Sequence, residues 1–481
     1  MKIPQKGRSK EEIFTELAIR KQGDFKWKKG RIFTSIYDAG EESQEVIYEA
    51  YKMFLTENMV DPTLFPSLRD MENEVVSMCA DLLHGDKNTS GTLTSGGTES
   101  CLLAVKTAKF YAKKRNPNIQ AEVILPYTIH FAFLKACEYF DVKPVIVPVT
   151  GDYKVDTQAI EKAINANTVL IVASAPSYAY GAIDSIAEIG QIALRHNMLF
   201  HVDACIGGFV LSFNRKAGYE VPAFDFSVPG VTSVSMDLHK YAYAAKGCSV
   251  LLFKNSEIRK SQYFISTSWT GYNAINTTIL STKPGGPVAG AWTALNYYGE
   301  EGYIQISKDT MLATEKIISG IKAIEGFEIL GNPTTPLVAF SHKKLDVFQI
   351  ADALKAEGWF VTSQLSSDVA PPNLHITVTI AHRGVEDDFI AALNRAVDTV
   401  KKGYTLRKLK DDATTAVIKK LVSNISPEKL AKISDTLGFS GGETPENLAL
   451  ISRLLDELPK NITEPMLVDF ISDFYTLKED K

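Results

Sequence analysis

The stretch that decides the fold is SVSMDLHKY, residues 233–241, in which a β-type run passes directly into Asp-x-His-Lys. The run from Val231 to Met236 predicts a short strand, which places Lys240 just past its end. Catalytic side chains often lie at the carboxyl ends of parallel strands in open α/β sheets, because the loops there surround a crevice. A desolvated lysine in such a crevice can lose its proton and bind a carbonyl carbon. An isolated His-Lys pair, by contrast, is more often part of a solvated loop.

Two other stretches favour the catalytic interpretation of this lysine. The first is TLTSGGTES, residues 92–100, whose small residues and glycines let the backbone approach an anion at the start of the following helix. Thr98 adds a hydroxyl at the same place. The second is FHVDACIGGF, residues 200–209, in which Asp203 ends an apolar strand-like run. A buried carboxylate without a partner is costly, so we expect Asp203 to meet a cation, and a protonated pyridine nitrogen would qualify.

A phosphate cradle, a strand-end aspartate and a strand-end lysine, in that order, are what pyridoxal 5'-phosphate requires. The helix start binds the phosphate, the aspartate keeps the ring nitrogen protonated, and the lysine holds the aldehyde. Each motif is a weak signal alone. Together they predict pyridoxal 5'-phosphate as the cofactor.

The rest of the chain predicts an α/β fold. Strand-like and helix-like segments alternate from about 121 to 253, which indicates a mainly parallel sheet covered by helices. Prolines 62 and 66 predict a loop over 58–69, and a Gly/Ser/Thr/Asn-rich stretch predicts a long functional loop over 266–286. We expect four regions: a helical and extended arm (1–60), a large cofactor-binding domain (61–305), a small α+β domain (306–401) and a helical extension (402–481).

Composition excludes several other functions. The 481 residues carry a net charge of −5 with scattered Lys and Arg, which argues against nucleic-acid binding. No run approaches the roughly 18 apolar residues of a membrane span, and the first residues lack the apolar core of a signal peptide. The five cysteines have no CxxC spacing, so they predict neither a disulfide framework nor a metal site, but buried residues in a reducing cytoplasm.

These motifs resemble the group II decarboxylase family of pyridoxal phosphate enzymes, which have fold type I. The likeness runs from about Gly30 to His382 and includes PTLFPSLRDME at 62–72, HFAFLKA at 130–136 and Lys246-Gly247. It is greater with the family's carbon–carbon lyases, which act on phosphorylated long-chain amino alcohols. The resemblance implies a large domain of the PLP-dependent transferase type with a smaller α+β domain after it. It also implies a homodimer whose active sites are shared between subunits.

The resemblance implies roles for residues that match the family motifs. Lys240 would be the Schiff-base lysine and Asp203 the partner of the pyridinium nitrogen. His130 would stack on the cofactor ring, although a residue that opens a helix is more often a local cap. Four further residues would contact the cofactor phosphate, the last of them from the neighbouring subunit: Gly97, Thr98, His239 and Thr282.

Other matched positions would lie near the polar end of the substrate. Tyr37, Asn58 and Lys246 correspond to such positions in the lyases, although each could equally be a surface or packing residue. The chain also departs from the pattern. Asp61 stands where the lyases have a phosphate-binding histidine, and Lys283 replaces an arginine. A carboxylate at position 61 would repel a phosphate, which puts a phosphorylated substrate in doubt without affecting the cofactor.

The leading hypothesis is a lyase that breaks the Cα–Cβ bond of a (phosphorylated) long-chain amino alcohol, giving an aldehyde and phosphoethanolamine. Tyr37 or Lys240 would move the proton. The enzyme alternative is an amino-acid α-decarboxylase that uses the same cofactor, and Asp61 suits a substrate with a cationic end. A third reading is a non-catalytic binding protein of this fold.

Overall fold

A computed structural model describes residues 3–403 and 448–476 of the chain. The amino-terminal region contains helices α1 (Lys10–Lys21), α2 (Glu41–Met53) and α3 (Pro66–Leu82). The loop predicted over 58–69 therefore ends earlier than expected. Pro66 is the first residue of α3. Proline is tolerated there because the backbone N–H of the first helical residue has no hydrogen-bond partner within the helix, so its absence costs nothing.

A seven-stranded sheet forms the centre of the molecule. Its strands are β1 (Ser90–Thr94), β2 (Glu122–Pro126), β3 (Lys143–Val147), β4 (Thr168–Ser174), β5 (Phe200–Asp203), β6 (Ser233–Asp237) and β7 (Ser249–Phe253). They lie in the order β1-β7-β6-β5-β4-β2-β3, and β7 alone is antiparallel to its neighbours. Every residue of β4 to β7 is buried, as expected for a sheet with helices on both faces. The predicted mainly parallel sheet of fold type I is confirmed.

Helices alternate with these strands. They are α4 (Gly97–Lys113), α5 (Phe131–Tyr139), α6 (Thr157–Ala163), α7 (Ile186–Arg195), α8 (Gly207–Lys216) and α9 (Ser256–Arg259). The predicted loop over 266–286 contains part of a hairpin, β8 (Phe264–Ser266) with β9 (Ala274–Asn276). Strands of three residues are too short to give a sequence period, which is why the sequence indicates only a loop.

A long helical segment connects the two sheets. Helix α10 (Gly285–Ala323) is interrupted at Gly299, whose φ of 58° favours glycine. The smaller sheet is antiparallel and has the order β10-β11-β13-β12, with β10 (Phe327–Leu330), β11 (Leu337–His342), β12 (Thr362–Gln364) and β13 (Asn373–Thr377). The same unit contains helix α11 (Val347–Ala356) and a further helix over 386–403, α12. This α+β unit confirms the second part of the predicted fold class.

Two further helices belong to the predicted extension, α13 (Leu448–Glu457) and α14 (Lys460–Tyr475). Helix α13 packs on α11: the Ala449 N–H donates to Asp352 Oδ2 at 2.9 Å, and Arg453 forms an ion pair with Asp346 at 2.7 Å. The helical pieces predicted at 418–422 and 427–437 lie outside the described residues. Within 3–403 and 448–476, we find no helix with the length and apolarity needed to cross a membrane.

Candidate active site

The candidate site is a cavity of about 470 Å³ at the carboxyl ends of three neighbouring parallel strands. Ser174, Asp203 and Ser235 stand side by side in the register of β4, β5 and β6, so the loops that follow these strands open on the same edge. Eight residues predicted from the sequence line this cavity: Tyr37, Gly97, Thr98, His130, Asp203, His239, Lys240 and Lys246.

Lys240 lies in the turn after β6 and is paired with a carboxylate that the sequence analysis did not assign. Its Nζ is 2.8 Å from Asp237 Oδ2, and the Asp237 side chain is almost completely buried. Burial alone lowers the pKa of Lys240, but the charge and hydrogen bond of Asp237 outweigh burial, so the pKa is raised. Lys240 is therefore an ammonium in this state, rather than the neutral amine that desolvation alone would give.

Asp203 ends β5 and lies in the same cavity. Its Oδ1 accepts hydrogen bonds from the Cys205 N–H at 3.1 Å and from Ser235 Oγ at 3.5 Å, which fixes the carboxylate at the strand end. The Cys101 and Cys205 thiols complete its surroundings, and their sulfur atoms lie within 4.8 Å of each other and of the carboxylate. Burial raises the pKa of Cys101 to about 11, so this thiol stays neutral beside the Asp203 carboxyl group.

The predicted phosphate cradle is the start of α4. Gly96 precedes the helix without a side-chain cap, so the first N–H groups of α4 are left for a ligand. Position 97 admits only glycine, because a Cβ there would come within 2.6 Å of Asp237 Oδ2. Glu99 holds the loop in place: its carboxylate accepts from the N–H of Ser95 at 2.6 Å and of Ile279 at 2.5 Å.

Two histidines border the cavity, and burial lowers the pKa of both. His130 Nδ1 accepts from the Ala132 N–H at 3.3 Å, so the ring does act as a helix cap while it also lines the cavity. His239 Nδ1 accepts from the Cys248 N–H at 3.1 Å. The neutral His239 ring then carries its proton on Nε2, which lies 3.8 Å from Asp237 Oδ2.

Lys246 and Tyr37 stand on the side of the cavity formed by the amino-terminal arm. Lys246 Nζ donates to the carbonyl oxygens of Ser35 at 2.9 Å and His239 at 3.2 Å, and lies 4.9 Å from the centre of the Tyr37 ring. No carboxylate among residues 3–403 and 448–476 forms an ion pair with it. Burial and the nearby Lys240 lower the pKa of Lys246 to about 8. Burial raises the pKa of Tyr37, so its hydroxyl keeps its proton.

Three predicted residues lie outside this cavity. Asp61 lines a second cavity, of about 670 Å³, and its Oδ1 accepts from the backbone N–H of Thr63 at 2.8 Å and from the Thr63 hydroxyl at 2.6 Å. Asn58 Oδ1 accepts from the Val60 N–H at 3.1 Å, and Thr282 is exposed on the surface. Lys283, next to Thr282, is held by both carboxylate oxygens of Glu72 at 2.7 Å.

The main cavity fits pyridoxal 5'-phosphate. It contains uncapped helix N–H groups for a phosphate, a fixed carboxylate for a ring nitrogen, and a lysine for an aldehyde. Asp237 Oδ1 is buried there without a hydrogen-bond partner among the described residues, which indicates a polar ligand nearby. Glycine at position 97 lets the Asp237 carboxylate lie directly beside the start of α4.

Comparison with known proteins decides between families that share this fold. The profile of the pyridoxal-dependent decarboxylase conserved domain matches residues 2–343. The chain belongs to this family. It is a pyridoxal phosphate-dependent lyase, which excludes the reading as a non-catalytic binding protein. A second profile, for a C-terminal helix-turn-helix domain proposed for pyridoxal-dependent enzymes, matches residues 406–473, mostly beyond the described part of the chain.

Several relatives within the family are lyases. The chain is 42% identical to sphingosine-1-phosphate lyase of Arabidopsis thaliana, over 81% of this chain and 72% of that protein. The sphingosine-1-phosphate lyase structure of Burkholderia pseudomallei superposes with a TM-score of 0.79 at 32% identity, over 89% of this chain and 98% of that one. A relative from Methanosphaera stadtmanae, named "Probable L-tyrosine/L-aspartate decarboxylase", is 34% identical over 74% of this chain and 90% of that protein.

Several residues of the cavity are not predicted by the sequence motifs. Asp237 stands within the quoted motif, and its position three residues before Lys240 was the available signal. Cys101, Cys205 and Glu99 also line the cavity, but their positions depend on contacts of α4 with the residues after β5 and with the 277–280 loop, which no local pattern records.

Proposed function

We propose that the chain is a carbon–carbon lyase that cleaves the Cα–Cβ bond of a phosphorylated long-chain amino alcohol, releasing an aldehyde and phosphoethanolamine. The observation that carries this proposal is Lys246, a second lysine that lines the cofactor cavity and has no carboxylate partner in the described chain. A lysine cation that lines a binding cavity attracts an anion, and a substrate phosphate supplies one. The similarity to sphingosine-1-phosphate lyases supports the same substrate class.

Each residue of the cavity would have a separate role in the reaction. When bound, pyridoxal 5'-phosphate withdraws electrons from the bond that breaks beside the amine carbon. Asp203 would keep a proton on the ring nitrogen, and Lys240 Nζ would hold the aldehyde and later accept or return a proton. The Tyr37 hydroxyl, whose pKa burial raises, would donate a proton rather than remove one. His130 would cover the ring from one side, and Gly97, Thr98 and His239 would enclose the phosphate.

We further propose that two copies of the chain form the complete site. Asn58, Asp61 and Thr282 lie outside the cavity that contains Lys240, so they would have to act in the site of a partner subunit. The hairpin β8–β9 supports a dimer, because Phe264, Ile265 and Ile275 expose 61 to 67% of their surface beside this second cavity. All five cysteines are buried and unpaired, which supports a reducing compartment such as the cytoplasm.

Product analysis tests the proposed reaction. The loaded enzyme is incubated separately with a phosphorylated long-chain amino alcohol, its unphosphorylated form, and L-tyrosine, L-aspartate or L-glutamate. We expect a long-chain aldehyde and phosphoethanolamine from the first substrate, and at least about tenfold less turnover of the second, because Lys246 would lose its anion. Carbon dioxide from an amino acid, without aldehyde formation, would refute the proposal.

An amino-acid α-decarboxylase is the second candidate. It is favoured by Asp61, whose hydrogen bonds to Thr63 keep its pKa below the usual value and hence keep it charged. In a partner's site this carboxylate would repel a phosphate and attract a cationic group. Asp61→His separates the candidates: tighter binding of the phosphorylated substrate favours the lyase, whereas loss of carbon dioxide production favours the decarboxylase.

A further inference from the structure

Two thiols and one carboxylate lie close together in the cavity that contains Lys240. The sulfur atoms of Cys101 and Cys205 and a carboxylate oxygen of Asp203 all lie within 4.8 Å of one another. All three residues line the cavity, although they are only 1 to 8% exposed, so an ion that enters the cavity reaches all of them. The two cysteines are about 100 residues apart in the chain, which is why their spacing predicts no metal site.

The three ligand atoms are held in place before any ion arrives. Cys101 lies in α4, Asp203 ends β5, and Cys205 follows two residues later, just before α8. The Asp203 carboxylate accepts from the Cys205 N–H at 3.1 Å, which ties it to the backbone that carries the second thiol. The Cys205 thiol donates to Ser235 Oγ at 3.3 Å, which orients its sulfur. A preorganised site of this kind loses little conformational entropy when a ligand binds.

The distances and donor atoms fit a divalent cation that prefers sulfur. Zinc–sulfur bonds are about 2.3 Å long, so two thiolates on one zinc ion lie about 3.8 Å apart in a tetrahedral site and at most about 4.6 Å apart. The limit of 4.8 Å in the structure is close to this range, so small side-chain movements complete the site. Thiolate ligands select Zn²⁺ over Mg²⁺ and Ca²⁺, which prefer oxygen. With three protein ligands, the fourth position is left for water.

The charges of the cavity allow such an ion to bind. Burial raises the pKa of Cys101 to about 11, and the contact with Cys101 together with burial raises the pKa of Cys205 well above its usual value. Both thiols are therefore neutral at first, and a metal ion displaces their protons as it binds. The nearby Lys240 ammonium repels a cation, but Asp237 pairs with it at 2.8 Å and compensates its charge.

We propose that the apoprotein binds a sulfur-preferring divalent cation such as Zn²⁺ through Cys101, Cys205 and Asp203, and that this ion and pyridoxal 5'-phosphate exclude each other. Two S–H bonds break, two metal–sulfur bonds form, and both protons leave to solvent. The Asp203 carboxylate cannot hold the ion and meet the ring nitrogen at the same time. Each ligand therefore weakens the binding of the other by the same factor. The metal site does not depend on the substrate, whereas the exclusion rests on the role proposed for Asp203.

Titration of the apoprotein with Cd²⁺, under reducing conditions, tests the site. Bonds between thiolates and cadmium absorb in the ultraviolet, and equilibrium dialysis counts the bound ions. We expect one Cd²⁺ per chain with the absorbance of two thiolates, and displacement of this ion by Zn²⁺. Cys101→Ser and Cys205→Ser should each weaken binding at least about tenfold, because even a residue that only supports a metal ligand contributes that much.

Cys137→Ser is the matched control. This thiol is buried in the same hydrophobic cluster as Cys101 and Cys205, but it does not line the cavity. The variant should therefore bind Cd²⁺ as tightly as the wild type, with the same absorbance. A loss of binding in Cys137→Ser equal to that in Cys101→Ser would show that repacking of the cluster, rather than removal of a ligand, is responsible, and would overturn the site.

Competition with the cofactor tests the exclusion. Pyridoxal 5'-phosphate added to the cadmium-loaded protein should remove the thiolate absorbance as the absorbance of the lysine linkage appears. Saturating Zn²⁺ should raise the apparent dissociation constant of the cofactor at least about tenfold in the wild type, and should leave it unchanged in Cys101→Ser. The comparison with Cys101→Ser corrects for metal bound directly by the free cofactor.

The outcomes separate the site from the exclusion. Equally tight Cd²⁺ binding by the wild type and by the variant with both Cys101→Ser and Cys205→Ser would mean an adventitious ion only and would overturn the site. Binding through both thiols without any effect on the cofactor would overturn the exclusion, and the role of Asp203 with it. If the serine variants do not fold, the wild-type titration still decides, because absence of thiolate–cadmium absorbance overturns the site and leaves the assignment of Lys240 unchanged.

Discussion

Two lysines line one cavity, and their surroundings move their pKa values in opposite directions. Asp237 raises the pKa of Lys240 against the effect of burial. Among the described residues Lys246 donates hydrogen bonds only to carbonyl oxygens, so desolvation and the nearby Lys240 lower its pKa to about 8. Position in the sequence gives no sign of this difference. It follows from which lysine lies beside the carboxylate at the end of β6.

The pKa of Lys246 predicts how substrate binding depends on pH. The ammonium form, present below about pH 8, would bind the substrate phosphate, and this attraction is lost as the pH rises through the pKa. We expect kcat/KM for the phosphorylated substrate to fall above about pH 8. In Lys246→Arg the cation persists, so the fall should move to higher pH.

The measurement is kcat/KM from about pH 7 to about pH 9.5 for the wild type, Lys246→Arg and Lys246→Met. Lys246→Met should lower kcat/KM at least about tenfold at pH 7, because one charge-assisted contact is lost, and should flatten the profile. Identical profiles for wild type and Lys246→Arg would show that another group titrates.

Much of the site could be predicted at the residue scale because its motifs are local. Lys240, Asp203 and Gly97 each follow directly from a strand end or a helix start in the sequence. The spacing of three residues allows Lys240 to pair with Asp237, but the path of the turn between them decides whether it does. The neighbourhood of Cys101 and Cys205 depends on packing between elements far apart in the chain.

Among the elements, α8 shows how closely the helices approach the sheet edge. It begins at Gly207, four residues after Asp203, where a Cβ would lie 1.9 Å from the carbonyl oxygen of Ala175. That oxygen belongs to the loop that follows β4, so the helix start and this loop are in direct backbone contact. The glycine therefore allows the start of α8, just after Asp203, to pack directly against the loop that follows β4.

We expect Gly207→Ala to destabilise the protein by about 1–3 kcal/mol or more, because the backbone must move to admit the methyl group. The visible absorbance of the loaded site should also weaken as Asp203 moves. Denaturant unfolding of the apoprotein measures the first effect. Gly151→Ala is the matched control, since a Cβ there meets nothing within 4 Å. Equal stability of the two variants would contradict the close approach.

The elements differ in how well the sequence predicts them. Strands β4 and β7 contain continuous apolar runs, Val169 to Ala173 and Val250 to Phe253, which is the pattern of buried strands. The hairpin β8–β9 was missed because its strands have three residues each. Helix α3 begins earlier than the sequence predicts, because Pro66 is its first helical residue and not the end of a loop.

For the molecule as a whole, the amino-terminal arm joins the cavity to the smaller sheet. The arm residue Phe33 is fully buried against Trp359, His382 and Phe389. Its backbone accepts from the Thr377 N–H at 2.8 Å, which ties the arm to β13. Residues 34, 35 and 37 of the same arm line the cavity, so the small unit helps to position them.

Phe33→Ala should therefore affect both stability and substrate binding. A cavity left by a buried phenylalanine costs about 3–5 kcal/mol, and loss of the anchor should raise KM by freeing Tyr37. Thermal or denaturant unfolding and steady-state kinetics measure the two effects. Phe110→Ala, at a site that is 45% exposed on α4, is the control and should cost much less. Reduced stability with unchanged KM would show that the arm does not position Tyr37.

Sequence alone could not predict this role of the arm. An extended segment near Phe33 was expected, but the partners of Phe33 lie more than 300 residues later in the chain. Contacts of that separation leave no local period, whereas the alternation of strands and helices over 121–253 does. The fold class could therefore be predicted from the sequence, whereas the attachment of the amino-terminal arm to the smaller sheet could not.

The most direct test of the account is to identify the lysine that binds pyridoxal 5'-phosphate. The loaded protein is reduced chemically, digested, and mapped by mass spectrometry, with Lys240→Ala and Lys246→Met measured in parallel. The account predicts the cofactor on Lys240 in the wild type and in Lys246→Met, and none in Lys240→Ala. Attachment to Lys246, whose pKa near 8 makes it the more readily deprotonated amine, would contradict it.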